Sequence, residues 1–236
     1  MAEFLFQSSY MDWFGCEGLS VFRTGFDVDH FSEASIHHLD EGYIEFIRNA
    51  VTKRQSEFIA GRHCAHMALA AHNISHGPIG VGTARQPLWP AGIVGSISHS
   101  HGYAVAAAAR RSRYMAIGLD VENIVTVETQ ARLRRSVVND DELHLLHDGV
   151  SPEEVITLIF SVKESFFKAA YPFVGGYFGF DAMSVLEIDW KTGKLLFVVH
   201  RDLAPEFPSR ALLNAHFRHI DNRILTLFVV EQNKKR

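Results

Sequence analysis

Apolar residues recur along this chain with two different spacings, and the change from one to the other marks out helices and strands. Two stretches carry the 3.6-residue period of a half-buried helix. The first is predicted from Thr52 to His72, with Thr52 as N-cap, Asn73 near its end and Phe58, Ala65, Ala68 and Leu69 as an apolar stripe. The second opens on Ser151 as N-cap, Pro152 at the first helical position and Glu154 completing a capping box. Val155, Leu158, Ile159, Val162 and Phe166 form its core-facing stripe, and it should stop by Tyr171, because Pro172 disfavours a helical residue before it. The runs Ile93 to His99, Tyr103 to Ala109 and Ala116 to Glu122, with turns at Ser100-His101-Gly102 and around Ser112, read as a three-stranded meander. A polar helix from Val127 to Val138, carrying Arg132, Arg134 and Arg135, and a short acidic helix from Asp140 to His147 follow. The first ~48 residues read as short strands and loops. Leu195 to Val199 and Ile224 to Val230 alternate as strands between turns at Lys191-Thr192-Gly193 and Asp221-Asn222. The sum is an α+β protein of two similar halves, residues 1–115 and 116–236, each a small, mainly antiparallel sheet packed on one long helix.

Charged residues placed on this frame suggest chemistry. In Ile117-Gly118-Leu119-Asp120-Val121-Glu122 the period of two sends Ile117, Leu119 and Val121 to a core and projects Asp120 and Glu122 together from the other face. Two carboxylates on a rigid strand suit a hard cation such as Mg²⁺, which completes its shell with water and substrate phosphate. The other reading of the hexapeptide is a solvated strand end. In a meander the first and third strands run in the same direction, so Ser98-His99 should lie on the same edge as the acidic pair. On the second long helix Glu164 falls opposite Val155 and shares a face with Lys168, between Phe160 and Phe167, which suggests a partly desolvated polar site. An ordinary surface Glu/Lys pair is the alternative. Arg54 and Arg62, two turns apart and about 80° apart around the first long helix, are placed to reach one anion.

Composition narrows the class of protein. With 236 residues, 47% of them hydrophobic and 21% charged, the chain is an ordinary globular one, and a formal net charge of −4 argues against a strongly basic nucleic-acid binder. No run approaches the ~20 apolar residues of a membrane span, and Met1 to Phe6 lack a basic leader, so a cytoplasmic protein without membrane attachment is expected. Cys16 and Cys64 are expected to be buried free thiols. The pairs His63/His66 and His144/His147 have i,i+3 spacing that could share zinc, but no third ligand stands near either, and half-polar helix faces explain them better.

Four ordered segments, Gly61-Arg62-His63-Cys64-Ala65, Gly95-Ser96-Ile97-Ser98-His99, Gly118-Leu119-Asp120-Val121-Glu122 and Phe160-Ser161-Val162-Lys163-Glu164-Ser165-Phe166-Phe167-Lys168-Ala169, resemble those of the 4′-phosphopantetheinyl transferases. With Gln86-Pro87-Leu88-Trp89-Pro90, the chain is similar to the enterobactin-synthetase component D branch of their surfactin-type group. The resemblance implies the pseudo-twofold fold of that family, with the site between a half that holds the coenzyme A nucleotide and a half that carries metal and catalytic residues. It implies transfer of the 4′-phosphopantetheine arm of coenzyme A to a serine of an acyl or peptidyl carrier protein, in fatty-acid, polyketide or siderophore synthesis, with Mg²⁺ as cofactor. In that family Asp120 and Glu122 would bind Mg²⁺, with Val121 offering at most its backbone, and Glu164 would be a metal ligand or the base. Lys168 would contact the pyrophosphate, Ser98 and His99 a phosphate, and Arg54 and Arg62 the adenosine phosphate end. Arg85 stands, shifted, where relatives often place a lysine. A monomer would suffice. A metal-dependent phosphohydrolase and a non-catalytic coenzyme A or carrier-binding module remain the other readings.

Overall fold

The computed structural model describes residues 3–12, 15–37, 39–147 and 149–232. The chain divides into two compact units, Met1–Ile117 with Val230–Arg236, and Gly118–Val229. No helix among the described residues is long and apolar enough to cross a membrane.

The first unit contains β1 (Leu5–Met11), β2 (Leu19–Phe26), the short helices α1 (Glu33–His37) and α2 (Ile44–Ile47), the long α3 (Thr52–Ala70), a small β3 (Gly80–Val81) and β4 (Pro87–Leu88) pair, β5 (Ile93–Ser100) and β6 (Tyr103–Arg110). Its antiparallel sheet has the order β1-β2-β6-β5. Five of the eight residues of β6 are alanine, and Ala104, Ala106 and Ala108, all fully buried, lie against the small residues Ala60, Cys64, Ala65 and Ala68 that α3 presents. Gly61 shows how close the approach is: a Cβ there would stand 2.9 Å from the Ile97 side chain. The opposite side of α3 buries Ile59 against Ile36, Tyr43 and Ile47. Covered on both sides, α3 cannot show one clean stripe in its sequence.

Two local expectations fail here. Thr52 is the first residue of α3 and not its cap; the extended Val51 holds the cap position with no side-chain bond. The meander also fails. β5 and β6 form the expected hairpin, through a turn in which both His101 (φ 43°) and Gly102 (φ 74°) are left-handed, as a type I′ turn demands. The far edge of β6, however, is taken by β2 in register from Leu19↔Ala109 to Gly25↔Tyr103. The next strand pairs in a different sheet, so it and β5 are not the first and third strands of one meander.

That strand, β7 (Tyr114–Asn123), joins a five-stranded sheet of order β7-β11-β10-β9-β8 with β8 (Met183–Asp189), β9 (Lys194–Val199), β10 (Leu212–Ile220) and β11 (Arg223–Glu231). Between β7 and β8 come α4 (Val127–Val137), a 3₁₀ helix over Asp140–His147 and α5 (Pro152–Val174). The start of α5 follows its sequence: Ser151 Oγ accepts from the Glu154 N–H at 3.2 Å and donates to Glu154 Oε2 at 2.8 Å. The expected stripe is fully buried, and Phe166 anchors it with ring contacts to Phe197, Phe207 and Phe228 at 5.2, 5.4 and 5.5 Å.

The end of α5 differs from expectation. It passes through Pro172 to Val174 and stops at Gly175, whose φ of 68° and N–H bond to Tyr171 O close the helix. Proline forfeits one backbone bond there, and the packing of Phe173 edge-on to Phe207 holds the last turn in place.

The acidic segment is fastened to α5 by a residue the sequence left without a role. Lys163 Nζ donates to Glu142 Oε2 at 2.8 Å and to Val137 O at 2.7 Å, while Glu142 also accepts from the N–H groups of Asn139 and Val185. Both side chains are sealed from solvent, and burial pulls the lysine below its ordinary pKa while Glu142 opposes the shift. A buried pair this fully bonded fixes the register of the four elements it joins, α4, the 3₁₀ helix, α5 and β8, more than it adds net stability.

Candidate active site

In the first unit, α3 turns Arg54, Glu57, Phe58 and Arg62 toward a cavity of about 520 Å³, which is also lined by His99 of β5 and by Arg85. The i, i+3, i+4, i+8 spacing explains why α3 supplies so many of these groups. Arg62 is only 5% exposed; its guanidinium stacks 4.6 Å from the Phe58 ring centre, and its Nε has no hydrogen-bond partner. Burial, with a smaller push from Arg54, lowers its pKa to about 10. A desolvated guanidinium whose Nη2 reaches Gly80 O only at a long 3.5 Å suits an anionic ligand.

Arg54 Nη1 lies 3.0 Å from His99 Nε2 and 3.4 Å from Glu57 Oε2. A guanidinium can only donate, so Nε2 is the accepting nitrogen and the imidazole proton sits on Nδ1, which faces Glu57 Oε2 at 3.8 Å. Glu57, absent from the expected set, thus orients both partners. Ser98, expected beside His99, is buried and does not line the cavity, because adjacent strand residues face opposite ways.

In the second unit the decisive residue is Gly118. A Cβ on it would lie 1.7 Å from Ser165 O, so β7 and α5 touch backbone to backbone at this point. That approach covers the face from which Asp120 projects. Asp120 is 3% exposed and not at a wet strand end; its Oδ1 accepts from Lys168 Nζ at 2.7 Å and its Oδ2 from Ser161 Oγ at 2.9 Å. Lys168 Nζ also donates to Leu119 O at 3.0 Å. Behind Ser161, Thr226 Oγ1 lies 2.9 Å from Ser161 Oγ and 2.6 Å from Ser165 Oγ. Val121 is in the core, leaving only its backbone to offer, and Glu122 is half-buried at the strand end.

Glu164 is half-buried and borders a second cavity of about 200 Å³ with Phe167, Tyr177, Phe178 and Phe180. Its carboxyl is held above the ordinary value of 4.5, first by burial and then by the charge of Asp120, with Lys168 acting the other way. The charges of Asp120 and Lys168 therefore both act on Glu164. No group of three or more His, Cys, Asp or Glu among the described residues is arranged to hold a metal ion. The donor chemistry nonetheless fits a hard cation: two repelling carboxylates with oxygen donors only, balanced here by one ammonium.

The histidine pairs have other roles. His66 Nε2 is 2.8 Å from Tyr43 OH, His63 stands edge-on to Phe22, and His144 Nε2 is 3.1 Å from Leu186 O; the His147 side chain lies outside the described residues. Cys16 and Cys64 are free and buried.

The first unit thus carries a cavity lined by basic side chains and the second a carboxylate–ammonium cluster. Comparison with known proteins defines the class. The model of the 4′-phosphopantetheinyl transferase N-terminal domain matches residues 43–109, and that of the 4′-phosphopantetheinyl transferase superfamily matches residues 116–225. Enterobactin synthase component D of Escherichia coli (strain K12) is 37% identical over 146 residues, 61% of this chain and 68% of that protein. The Salmonella typhimurium protein of the same name is 38% identical over 149 residues, 61% of this chain and 59% of its own length. The 4′-phosphopantetheinyl transferase Npt of Nocardia iowensis is 36% identical over 135 residues, covering 57% and 60%. The chain belongs to the 4′-phosphopantetheinyl transferase superfamily, and it spans about three fifths of the length of the latter two relatives.

Proposed function

We propose that this protein transfers the 4′-phosphopantetheine arm of coenzyme A to a serine of an apo acyl or peptidyl carrier protein, as a cytosolic monomer. The observation that carries the reading is Glu164, a half-buried carboxyl with raised proton affinity beside Lys168 and Asp120, on a chain of this superfamily. A carboxylate so tuned is a better base than a solvated one. It takes the serine proton as the serine oxygen bonds to the phosphorus bearing the pantetheine arm. The bond from that phosphorus to the bridging oxygen breaks, and adenosine 3′,5′-bisphosphate leaves with the electron pair. Lys168 donates to the pyrophosphate oxygens, and Arg54, Arg62, Arg85 and His99 bind the phosphates of the nucleotide end. Asp120 and Glu122, with Glu164 alongside, would hold Mg²⁺, which when bound offsets charge on the pyrophosphate.

Incubation with coenzyme A, Mg²⁺ and an apo-carrier, read by intact mass, tests this: the carrier should gain one phosphopantetheine group. Consumption of coenzyme A with the carrier unchanged would instead establish a hydrolase, and no consumption would remove the reading altogether.

The exposed Arg132, Arg134 and Arg135 of α4 suit an acidic carrier helix. Arg135→Glu is expected to raise the KM for carrier by about tenfold, or ~1.4 kcal/mol, while the KM for coenzyme A stays unchanged. Equal change in both constants would exclude a carrier-facing role.

A further inference from the structure

We infer that Ser161, Thr226 and Ser165 are positioning residues: a one-way chain of hydroxyl donors that holds the Asp120 carboxylate in a single orientation for a divalent cation. The inference rests on the transferase reading and extends it to residues outside the reacting groups.

The direction of the chain follows from elementary bonding. An ionised carboxylate only accepts, so the Ser161 proton points at Asp120 Oδ2, 2.9 Å away. The Ser161 oxygen is then the acceptor for Thr226 Oγ1 at 2.9 Å, and the Thr226 oxygen is the acceptor for Ser165 Oγ at 2.6 Å, a shorter contact than the 3.2 Å from Ser165 Oγ to Thr226 O. Ser161, Ser165 and Thr226 are all 0% exposed. Each hydroxyl polarises the next in a region of low dielectric, so the bond reaching Asp120 is stronger than an isolated serine would make.

Two contrasts separate this from routine satisfaction of buried polar groups. Thr157, one turn earlier on α5, donates back to Glu153 O of its own helix at 2.6 Å and accepts from the Val125 backbone N–H at 3.1 Å, whereas the Ser161 and Ser165 hydroxyls bond to side chains of β7 and β11. The two oxygens of Asp120 are also held differently. Oδ1 is held by Lys168, 27% exposed at its side chain and able to turn to a phosphate; Oδ2 is held by a hydroxyl that no solvent or ligand can reach. Metal-binding carboxylates are commonly fixed by such outer partners, whose loss costs roughly 10–100-fold in metal affinity.

The test compares wild type, Ser161→Ala, Thr226→Val and Thr226→Ser in Mn²⁺ and Mg²⁺ titrations followed by calorimetry, with metal-free melting as a measure of folding. Ser161→Ala should weaken metal binding by at least about tenfold and Thr226→Val by about threefold to tenfold, while Thr226→Ser, which keeps the hydroxyl, restores wild-type affinity. Wild-type metal affinity in both Thr226→Val and Ser161→Ala would overturn the inference. Should Ser161→Ala fail to fold, equal metal affinity in Thr226→Val and Thr226→Ser overturns it as well. A wild-type protein that binds neither cation would overturn the metal role of Asp120, and this inference with it. That result is distinct from intact metal binding that ignores the hydroxyls.

Discussion

Glu164→Gln should lower the rate of transfer to carrier by about 10²–10⁴-fold, the usual weight of a general base, with little change in the KM for coenzyme A. The substitution keeps the size and hydrogen-bonding reach of the side chain and removes its capacity to take a proton at neutral pH. Its effect on stability should run the other way. The folded protein holds the Glu164 carboxyl above its ordinary 4.5, chiefly by burial, so ionised Glu164 destabilises the fold. The contribution of Glu164 is therefore most favourable below pH 4.5 and is lost as pH rises through the raised folded value. The melting temperature of the glutamine variant should equal or exceed that of wild type at pH 7–8, and the difference should shrink as pH falls toward about 4. A variant that transfers at near wild-type rate, or that melts well below wild type at pH 7–8, would contradict the placement of this carboxylate.

Gly118→Ala should cost the second unit more than the 1–3 kcal/mol usual for overpacking, roughly 4 kcal/mol or above, and should abolish activity. The added carbon would stand 1.7 Å from Ser165 O, 2.7 Å from Ser165 C and 3.0 Å from Ala169 N. These are backbone atoms of a helix and cannot rotate aside as a side chain can. Relief requires β7 to lift from α5, which takes Asp120 away from both Ser161 and Lys168. Urea unfolding read by circular dichroism measures the loss. A midpoint close to that of wild type would mean that strand and helix are not in backbone contact.

How readily each element could be read from sequence depended on how far its causes lie from it in the chain. The start of α5 depends on residues three positions apart, and its buried stripe on residues within four turns, so both were legible. β9 and β11 were legible because they alternate and are bounded by local turns. The continuation of α5 through Pro172 was not legible, since it is held by Gly175 and by a ring contact to Phe207 far along the chain. β8 and β10 carry polar residues at several partly exposed positions, and their alternation is too weak to stand out.

The candidate site divides the same way. Arg54 and Arg62 were found from helical spacing, and Arg85, placed by likeness to relatives, shares their cavity. Glu57 lay on the same helix face and was legible in principle, one turn from Arg54. Ser161 sits three residues before Glu164 and carried a weak signal, whereas Thr226, on β11, carried none. Glu142 lies 21 residues from Lys163 and reads in isolation as one of several acids in a polar stretch.

The amino-acid order by itself determined the two long helices, the β5–β6 hairpin, the buried faces of β7 and α5, and the pairing of Glu164 with Lys168 on one helix face. Each follows from steric and hydrophobic rules acting within a few residues. Only the tertiary structure decided which strand β6 would accept as its second neighbour, that Asp120 would be sealed under α5, and that the Thr226 hydroxyl would stand behind it. Strand edges and buried carboxylates take their partners by proximity in space, and the closure of loops of 40 to 90 residues that creates that proximity leaves no periodic mark in the chain.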